Sequence, residues 1–322
     1  MTYSTNEWDK LQQVIVGTAT GACVPDLDKS LHCVNYAGGD EVVAIGPYPD
    51  QVIAEANEDL ETFCDFLRGE SVEVLRPTTE FPVEYYDYCP RDIAFVHGDT
   101  AIATPNPIKA RANNWKNIGG YITDMQIISP DFTDDDYDER CIGNPDILAC
   151  AENKPMFDAA NIIRANEDLL YLVSNSGNKS GAHYLQGLLG DSARVHTLEG
   201  VYSYMHIDST VAFLREGLML LNPSRIKSKD QLPEPFRSWD AIWCPEPTDI
   251  GYYGNYCNAS VWINMNLFSV NPNLVVLEEN QHNLRAELEK HNIDCAMLPI
   301  RHQRTLGGGF HCVTLDTKRC GN

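Results

Sequence analysis

The chain has 322 residues, of which 43% are hydrophobic and 22% charged, an ordinary composition for a globular protein with a sizeable core. Its 24 basic and 46 acidic residues give a formal net charge of −22. This charge argues against nucleic-acid binding, which needs a basic surface, and it suits a cationic small-molecule substrate. A solvated acidic surface accounts for most of the charge, so acidity alone names no substrate.

The N-terminal segment has no basic region followed by an apolar one, and we expect neither a signal peptide nor a membrane span. The eleven cysteines are scattered along the chain without a CxxC pair. This spacing weighs against a disulfide framework and against a zinc site. The sequence therefore predicts a cytoplasmic protein with no metal, no cofactor and no membrane partner.

In chain order, the first element is a short buried strand that ends at residues 14–17. Residues 21–48 are rich in Gly, Pro and Cys and are predicted to form a loop. Apolar residues at helical spacing predict a helix over 51–69, followed by a strand over 71–75.

Four hairpins are predicted further along the chain, with an acidic loop at 131–139 after the first. Their paired strands are 93–96 with 100–103, 160–164 with 169–173, 209–214 with 218–221, and 261–268 with 274–277. Helices are predicted around 181–189 and 280–291. The hairpins recur about every fifty to sixty-five residues, which indicates repeated ββαβ-type units in one domain spanning residues 1–322.

A polar side chain precedes the first strand of each predicted unit. These residues are Asp92, Asp158, Asp208, Ser260 and, before the last strand, Cys312. If equivalent units surround an axis, the five positions converge on one central site.

The last of these positions carries a thiol after three glycines, Gly307-Gly308-Gly309-Phe310-His311-Cys312. Glycines allow the close backbone approach that a nucleophile in a crowded site needs. A glycine turn into a buried strand, with Cys312 as a small hydrophobic residue, is the alternative.

Met205-His206-Ile207-Asp208 supplies a histidine and a carboxylate on the same face of an extended segment. A histidine can shuttle protons near neutral pH, although a packed histidine beside a salt-bridging aspartate would give the same pattern.

Two further acids stand in contexts where an unpaired charge is costly. Asp158 follows Phe157 and precedes two alanines, so it needs a histidine, an arginine or a bound cation as partner. Asp92 follows Arg91, and an Arg91–Asp92 pair that ties a loop is the competing explanation. A thiol, a histidine and three acids suit a guanidinium, whose planar donors pair with carboxylates. The residues therefore point to nucleophilic catalysis on a guanidino carbon.

Seven segments, in order, resemble the arginine:acceptor amidinotransferases, the family of glycine amidinotransferase and inosamine-phosphate amidinotransferase. They are Asn6-Glu7-Trp8-Asp9 with Val14-Ile15-Val16-Gly17, Pro90-Arg91-Asp92, Phe157-Asp158-Ala159-Ala160, Met205-His206-Ile207-Asp208, Asn222-Pro223-Ser224-Arg225, Trp262 with Asn264-Met265-Asn266, and Gly307-Gly308-Gly309-Phe310-His311-Cys312. The resemblance implies an α/β fold, the five-fold pseudosymmetric α/β propeller of guanidine-modifying enzymes.

The resemblance also implies a role for each site residue. Cys312 would attack the guanidino carbon of arginine and form a covalent amidino-cysteine, and His206, oriented by Asp158, would move the proton. Asp92 and Asp208 would hold the guanidinium nitrogens. Arg225 and Ser260 would bind the α-carboxylate, with Met205 also in the substrate site.

Three departures from the family pattern leave the acceptor open. The chain is shorter between residues 77 and 90 than in glycine-using relatives, and Tyr85-Tyr86-Asp87-Tyr88-Cys89 stands there. Ala259 replaces a serine, and Met156 replaces a cysteine. We expect an L-arginine amidinotransferase that transfers the amidino group to a primary amine, glycine or a related small amine, and releases ornithine. A homodimer is compatible with this interpretation. The alternatives are a hydrolase of the same superfamily giving citrulline and ammonia, and a non-catalytic arginine-binding protein.

Overall fold

The computed structural model describes residues 2–34 and 45–320. Its α-helices are α1 (Asp50–Gly69), α2 (Lys179–Leu189), α3 (Glu234–Arg237), α4 (His282–Lys290) and α5 (Gln303–Leu306). Within the described ranges, none of these helices has the length and apolar character needed to cross a membrane.

The strands are short, as in many α/β proteins. They are β1 (Leu11–Val16), β2 (Cys23–Val24), β3 (Gly46–Pro47), β4 (Glu73–Leu75), β5 (Ala94–His97), β6 (Thr100–Ala103), β7 (Gln126–Ile127), β8 (Ile162–Ala165), β9 (Asp168–Leu172), β10 (Arg194–Leu198), β11 (Val211–Arg215), β12 (Leu218–Leu221), β13 (Asp240–Trp243), β14 (Phe268–Asn271), β15 (Leu274–Glu278), β16 (Asp294–Leu298) and β17 (Thr314–Arg319).

Five three-stranded sheets in the described residues share one plan. They are β5-β6-β7, β8-β9-β10, β11-β12-β13, β14-β15-β16 and β17-β1-β4. In each sheet two strands pair antiparallel, and the third strand runs parallel to the central one. A parallel neighbour requires a crossover connection, which α1, α2, α3 and α4 help to supply in four of the sheets. The fold is therefore mixed α/β with a repeated ββαβ-type unit.

The sheet that contains both ends of the chain completes this pattern. β17, near the C-terminal end, pairs antiparallel with β1 near the N-terminal end, with Val16 opposite Thr314. β4 then lies parallel to β1. Cys312 therefore precedes β17 just as Asp92 precedes β5.

The core beneath Cys312 is formed largely by α1. The buried face of this helix carries Val52, Ala56, Leu60, Phe63 and Leu67 at helical spacing. The ring of Phe63 lies 4.8 Å from that of Phe310 and 6.2 Å from that of Phe268, in edge-to-face contacts. Phe310 lies two residues before Cys312, so these contacts fix the position of residues 307–312, which we call the cysteine loop.

The structure confirms most predicted elements. The helix at 51–69 is α1, and the first three hairpins are β5-β6, β8-β9 and β11-β12. The predicted loop at 21–48 contains the short pair β2-β3 and a 3-10 helix over Lys29–Val34, and residues 35–44 of that prediction lie outside the described residues.

The first strand of the fourth hairpin was predicted wrongly. Residues 261–265 form a 3-10 helix, Val261–Met265, and the strand begins only at Phe268. A short apolar run does not distinguish a strand from a buried helical turn. The residue that enters this hairpin is therefore Asn266 rather than Ser260.

Candidate active site

The five acidic, imidazole and thiol side chains predicted from the sequence lie together. Cys312, His206 and Asp208 line one cleft, and Asp92 and Asp158 lie against His206. Each is supplied by the segment just before a hairpin or, for Cys312, before β17. The repeated fold thus brings together residues separated by up to 220 positions in the chain.

The cysteine loop depends on glycine at two positions. Gly307 ends α5 with φ of +81°, a left-handed conformation that favours glycine. At Gly309 a side chain would meet Asn266, because an added Cβ would lie 2.8 Å from the Asn266 Cβ. The loop can therefore close against Asn266 only without side chains at these positions.

Asn266 is a site residue that sequence reasoning missed. Its Oδ1 accepts hydrogen bonds from the backbone N–H groups of His311 and Cys312, at 2.9 and 3.1 Å. Its Nδ2 donates to Cys312 Sγ at 3.2 Å. The sequence segment around Asn266 resembles the family, but the wrong strand boundary concealed that this residue precedes the first strand of the fourth hairpin.

The Cys312 thiol is buried, with 1% of the residue exposed, and donates to Asp208 Oδ2 at 3.2 Å. It also shares a hydrogen bond with the Cys89 thiol. That bond, burial and the Asp208 charge raise the pKa of Cys312 well above its ordinary value, against a smaller opposing effect of His206. These surroundings favour the thiol form of Cys312 over the thiolate.

His206 lies between two aspartates in an unusual backbone conformation. Its φ is +53°, in the left-handed region that non-glycine residues rarely adopt. Its Nε2 lies 3.0 Å from Asp158 Oδ2, and its Nδ1 lies 3.8 Å from Asp92 Oδ1. Burial opposes a charged ring, but the charges of Asp158 and Asp92 raise the pKa of His206 well above its usual value. The imidazolium form is favoured.

Asp158 is fully buried and held by the backbone turn that precedes β8. Its Oδ1 accepts the backbone N–H of Ala160 at 3.0 Å, which caps a 3-10 turn over Ala159–Asn161. Its Oδ2 accepts from Asn106 Nδ2 at 3.4 Å and faces His206. The partner that the sequence required for this acid is thus the histidine.

Asp92 has one satisfied and one unsatisfied carboxylate oxygen. Oδ2 accepts a short hydrogen bond from Arg111 Nη1, whereas Oδ1 is buried and accepts no hydrogen bond from any side chain or backbone group that the structure describes. Burial raises the pKa of Asp92 to about 6; Arg111 opposes the rise and Asp158 adds to it. A buried, unpaired carboxylate oxygen is costly unless a ligand supplies a donor.

The sequence alternative of an Arg91–Asp92 pair is not what the structure contains. Arg91 Nη1 instead pairs with Asp316 Oδ1 at 2.7 Å. Asp92 pairs with Arg111, which lies nineteen positions further along the chain. Arg111 is buried, and its guanidinium lies over the ring of Tyr86, 4.7 Å from the centroid. No sequence signal identified Arg111, because its partner is distant in the chain.

Asp208 is oriented by His311, another residue the sequence reasoning left without a role. His311 Nδ1 lies 3.0 Å from Asp208 Oδ2. Burial alone would raise the pKa of Asp208, but the hydrogen bond from His311 and the charges of His311 and His206 lower it to about 2. Asp208 is therefore ionised throughout the neutral range.

The other three predicted substrate-binding residues, Met205, Ser260 and Arg225, lie in or beside the cleft. Met205 and Ser260 line the cleft directly. Arg225 reaches it through two residues that do: its Nη1 donates to Ser209 Oγ at 2.8 Å, and its guanidinium stacks on Tyr202 at 3.4 Å from the ring centroid. The Tyr202 contact was not predicted.

Two overlapping sets of side chains have the donor atoms of a metal site. They are His206, Asp208 and Cys312, and Asp92, Asp158 and His206, with the donor atoms of each set within 4.8 Å of one another. Both sets use His206. A metal bound there would occupy the imidazole and, in the first set, the thiol.

Comparison with known proteins agrees with this architecture. The chain is 41% identical over 339 residues to inosamine-phosphate amidinotransferase 1 of Streptomyces glaucescens, covering 98% of this chain and 96% of the relative. It is 30% identical over 345 residues to L-arginine:L-lysine amidinotransferase of Pseudomonas savastanoi pv. phaseolicola, covering 99% of this chain and 94% of the relative. No protein-family model matches the chain.

A solved structure shows the same fold. The inosamine-phosphate amidinotransferase of Streptomyces griseus superimposes with a TM-score of 0.93 at 39% identity, covering 100% of this chain and 98% of that one. The fold and the similarity along the whole chain define an enzyme of the transferase class. The chain belongs to the amidinotransferase family.

Proposed function

We propose that this amidinotransferase uses L-arginine as donor and forms a covalent amidino-cysteine on Cys312. The observation that supports this most directly is the buried Asp92 Oδ1, which accepts no hydrogen bond from the described part of the chain and lies 3.8 Å from His206 Nδ1. A guanidinium N–H would satisfy that oxygen, and the ionised Asp208 beside Cys312 offers a second acceptor. The relative named L-arginine:L-lysine amidinotransferase supports arginine as the donor.

The bound cation would also activate the nucleophile. Its surroundings in the structure raise the pKa of Cys312, which disfavours the thiolate. A guanidinium held by Asp92 and Asp208 places a positive charge beside the sulfur, and a nearby positive charge lowers a thiol pKa. Arginine thus promotes ionisation of the group that attacks it.

The proposed reaction has two half-reactions. The Cys312 thiol loses its proton to solvent when the guanidinium binds beside it. The thiolate then adds to the guanidino carbon, and the bond to the side-chain nitrogen breaks as the His206 imidazolium donates its proton to the leaving amine of ornithine. A primary amine then adds to the amidino carbon, His206 accepts its proton, and the carbon–sulfur bond breaks. Glycine or a related small amine is the acceptor proposed from the family resemblance.

The arrangement of the five sheets belongs to the same proposal. We infer that they surround one axis as a five-fold pseudosymmetric propeller in a single domain, because the entry residues of all five units meet at one site. The eleven cysteines are unpaired, which suits a reducing compartment, and we place the protein in the cytoplasm. The homodimer stays a prediction that light scattering of the purified chain would check.

Product analysis tests the proposed function. L-arginine is incubated with the enzyme, with and without a panel of primary amines that includes glycine, lysine and ornithine, and the products are identified by mass spectrometry. We expect ornithine and one new guanidino compound that appear only when an amine is present. Digestion of enzyme trapped with arginine should give a Cys312 peptide heavier by one amidino group.

Two outcomes would contradict the proposal. Citrulline and ammonia from arginine in water alone would make the protein a hydrolase on the transferase fold. Arginine binding without ornithine or citrulline under any acceptor would make it an arginine-binding protein.

A further inference from the structure

The cleft above Cys312 has a mixed lining. Tyr85, Tyr86, Ile108, Ile263 and Leu306 supply its aromatic and aliphatic part, and polar side chains supply the rest. The aromatic and aliphatic side chains favour the hydrocarbon part of a ligand over a strongly hydrated group. The acceptor must enter this cleft, because it attacks the carbon that Cys312 carries.

Among the described lining residues, Arg111 is the one lysine or arginine, and its charge is already neutralised. Nη1 is bonded to Asp92 and Nη2 to the carbonyl oxygen of Cys89 at 2.9 Å. The guanidinium is covered by Tyr86 and Tyr85. Its Nε–H has no acceptor among the described residues. A single N–H of a guanidinium that is already paired with a carboxylate does not neutralise the two negative charges of a phosphate group.

The basic residues next to the cleft in the chain are also paired. Lys109, which follows the lining residue Ile108, is bonded to Asp134 at 2.8 Å, and Lys29 is paired with Glu139 at 3.0 Å. The sequence contains no lysine or arginine between Lys29 and Arg68, so residues 35–44 supply none.

Arg225 is the remaining cation at the rim. It is held by Ser209, Thr210 and the Tyr202 ring, and it is the residue assigned to the α-carboxylate of arginine. After ornithine leaves, this guanidinium could pair with one carboxylate of an acceptor. A phosphate monoester carries a charge of about −1.5 to −2 near pH 7, and one guanidinium does not neutralise it.

We propose that the acceptor of this enzyme is a primary amine without a phosphate group, whose hydrocarbon part packs against Tyr85, Tyr86 and Ile108. This inference rests on the proposed amidino transfer. It distinguishes the chain from its 41% identical relatives, whose name specifies an inosamine phosphate.

Matched pairs of amines test the inference. Guanidino-product formation from arginine is measured with ethanolamine and with O-phosphoethanolamine, which differ only in the phosphate, and with propylamine and phenethylamine, which differ in apolar area. We expect kcat/KM at least about tenfold lower for O-phosphoethanolamine than for ethanolamine, and higher for phenethylamine than for propylamine. Equal or better use of O-phosphoethanolamine, or of a phosphorylated aminocyclitol, would overturn the inference.

A substitution at the half-buried Val34, which lines the cleft, tests the charge argument. Val34→Lys introduces an unpaired cation, and Val34→Met is the uncharged control of similar length. We expect the ratio of O-phosphoethanolamine to ethanolamine turnover to rise severalfold in Val34→Lys and to stay constant in Val34→Met. An unchanged ratio in Val34→Lys would contradict the role of charge.

An isotope-exchange assay separates failure of this inference from failure of the proposed function. Labelled ornithine should enter arginine in the absence of any other amine, because ornithine reverses the first half-reaction. If labelled ornithine exchanges into arginine but the enzyme prefers a phosphorylated amine, only the proposed class of acceptor is wrong. Absence of exchange overturns the amidino transfer itself.

Discussion

Two buried charge clusters lie on either side of the cysteine loop, and they differ in how completely their charges are paired. The arginine cluster comprises Glu7, Arg91, Arg164, Asp316 and Arg319. Arg164 bonds Asp316 at 2.7 Å and Glu7 at 2.8 Å, and Arg91 and Arg319 bond Asp316 at 2.7 and 2.6 Å. Both carboxylates of this cluster thus accept hydrogen bonds from arginines.

The second cluster, which we propose to be catalytic and call the catalytic cluster, comprises Asp92, Asp158, His206, Asp208 and Cys312. It is also buried, but Asp92 Oδ1 accepts no hydrogen bond from the described residues, and the pKa of Cys312 is raised. His311 joins the two clusters, since Nδ1 faces Asp208 at 3.0 Å and Nε2 faces Glu7 at 3.4 Å. The comparison teaches that complete pairing ties the chain termini to the core, whereas incomplete pairing leaves room for a cationic ligand.

The largest effect is expected at the nucleophile. Cys312→Ala should lower ornithine formation by on the order of 10⁴-fold or more while arginine still binds, because the charged side chains of the catalytic cluster remain. Ornithine release and arginine Kd are measured on the same preparation. Cys295→Ala, at a free thiol outside the cleft, is the control and should keep normal turnover. Near-normal activity of Cys312→Ala would sink the assignment.

The arginine cluster should respond in stability instead. Asp316→Asn leaves three arginines with one fewer carboxylate in a buried site, which should lower the free energy of unfolding by about 3–5 kcal/mol. Urea denaturation measures this change. Breaking the exposed Arg285–Glu289 pair with Arg285→Ala should cost at most about 1 kcal/mol. If both variants unfold at the same urea concentration, the cluster does not stabilise the fold as described.

Asp92→Asn should weaken arginine binding, and because it removes the carboxylate partner of the buried Arg111 it should also lower the free energy of unfolding. The amide loses the charge-assisted bond to the guanidinium, worth about 1.5–3 kcal/mol, so the Kd for arginine should rise roughly 10- to 150-fold. Calorimetry in the Cys312→Ala background measures binding without turnover. The exposed Asp191→Asn serves as control, and an unchanged Kd in Asp92→Asn would remove Asp92 from the guanidinium site.

The same carboxyl should set the acid limb of the pH profile. Because the pKa of Asp92 is raised to about 6, this group is ionised above that pH and becomes neutral below it. We expect kcat/KM for arginine to fall about tenfold per pH unit as the pH decreases below 6. Asp92→Asn has no such titration, so a limb that persists in this variant would belong to another group.

The smallest effect is expected at Tyr202, which stacks on Arg225 outside both clusters. Tyr202→Ala removes a cation–π contact of about 0.5–2 kcal/mol, and KM for arginine should rise severalfold with little change in kcat. Tyr202→Phe keeps the ring and should behave like the parent enzyme. A loss of activity in Tyr202→Phe would point to the hydroxyl instead of the stacking.

Much of the fold could be predicted because its signals are local. The helical spacing in α1 and the turns of three hairpins appear in the sequence with nearly the observed bounds. The fourth hairpin was also predicted, but the start of its first strand was not, since the apolar run at 261–265 is compatible with either a strand or a helical turn. Because of that error, Ser260 was taken as the residue that precedes the fourth hairpin. Asn266, which hydrogen-bonds the cysteine loop, was therefore not identified as a site residue.

The sequence by itself determined which chemical groups this protein can use. The thiol after three glycines, the histidine two residues before an aspartate, and the isolated acids at 92 and 158 are all visible as residue types in short segments. Their relation to a guanidinium follows from charge and hydrogen-bonding capacity alone.

Only the tertiary structure decided which acid would be neutralised and which would be left for a ligand. Arg91 is adjacent to Asp92 in the chain but pairs with Asp316, while Arg111 takes one oxygen of Asp92 and leaves the other free. Pairing of buried charges depends on distances between segments far apart in the chain. The sequence lists the candidate partners, and the packing of the five sheets selects among them.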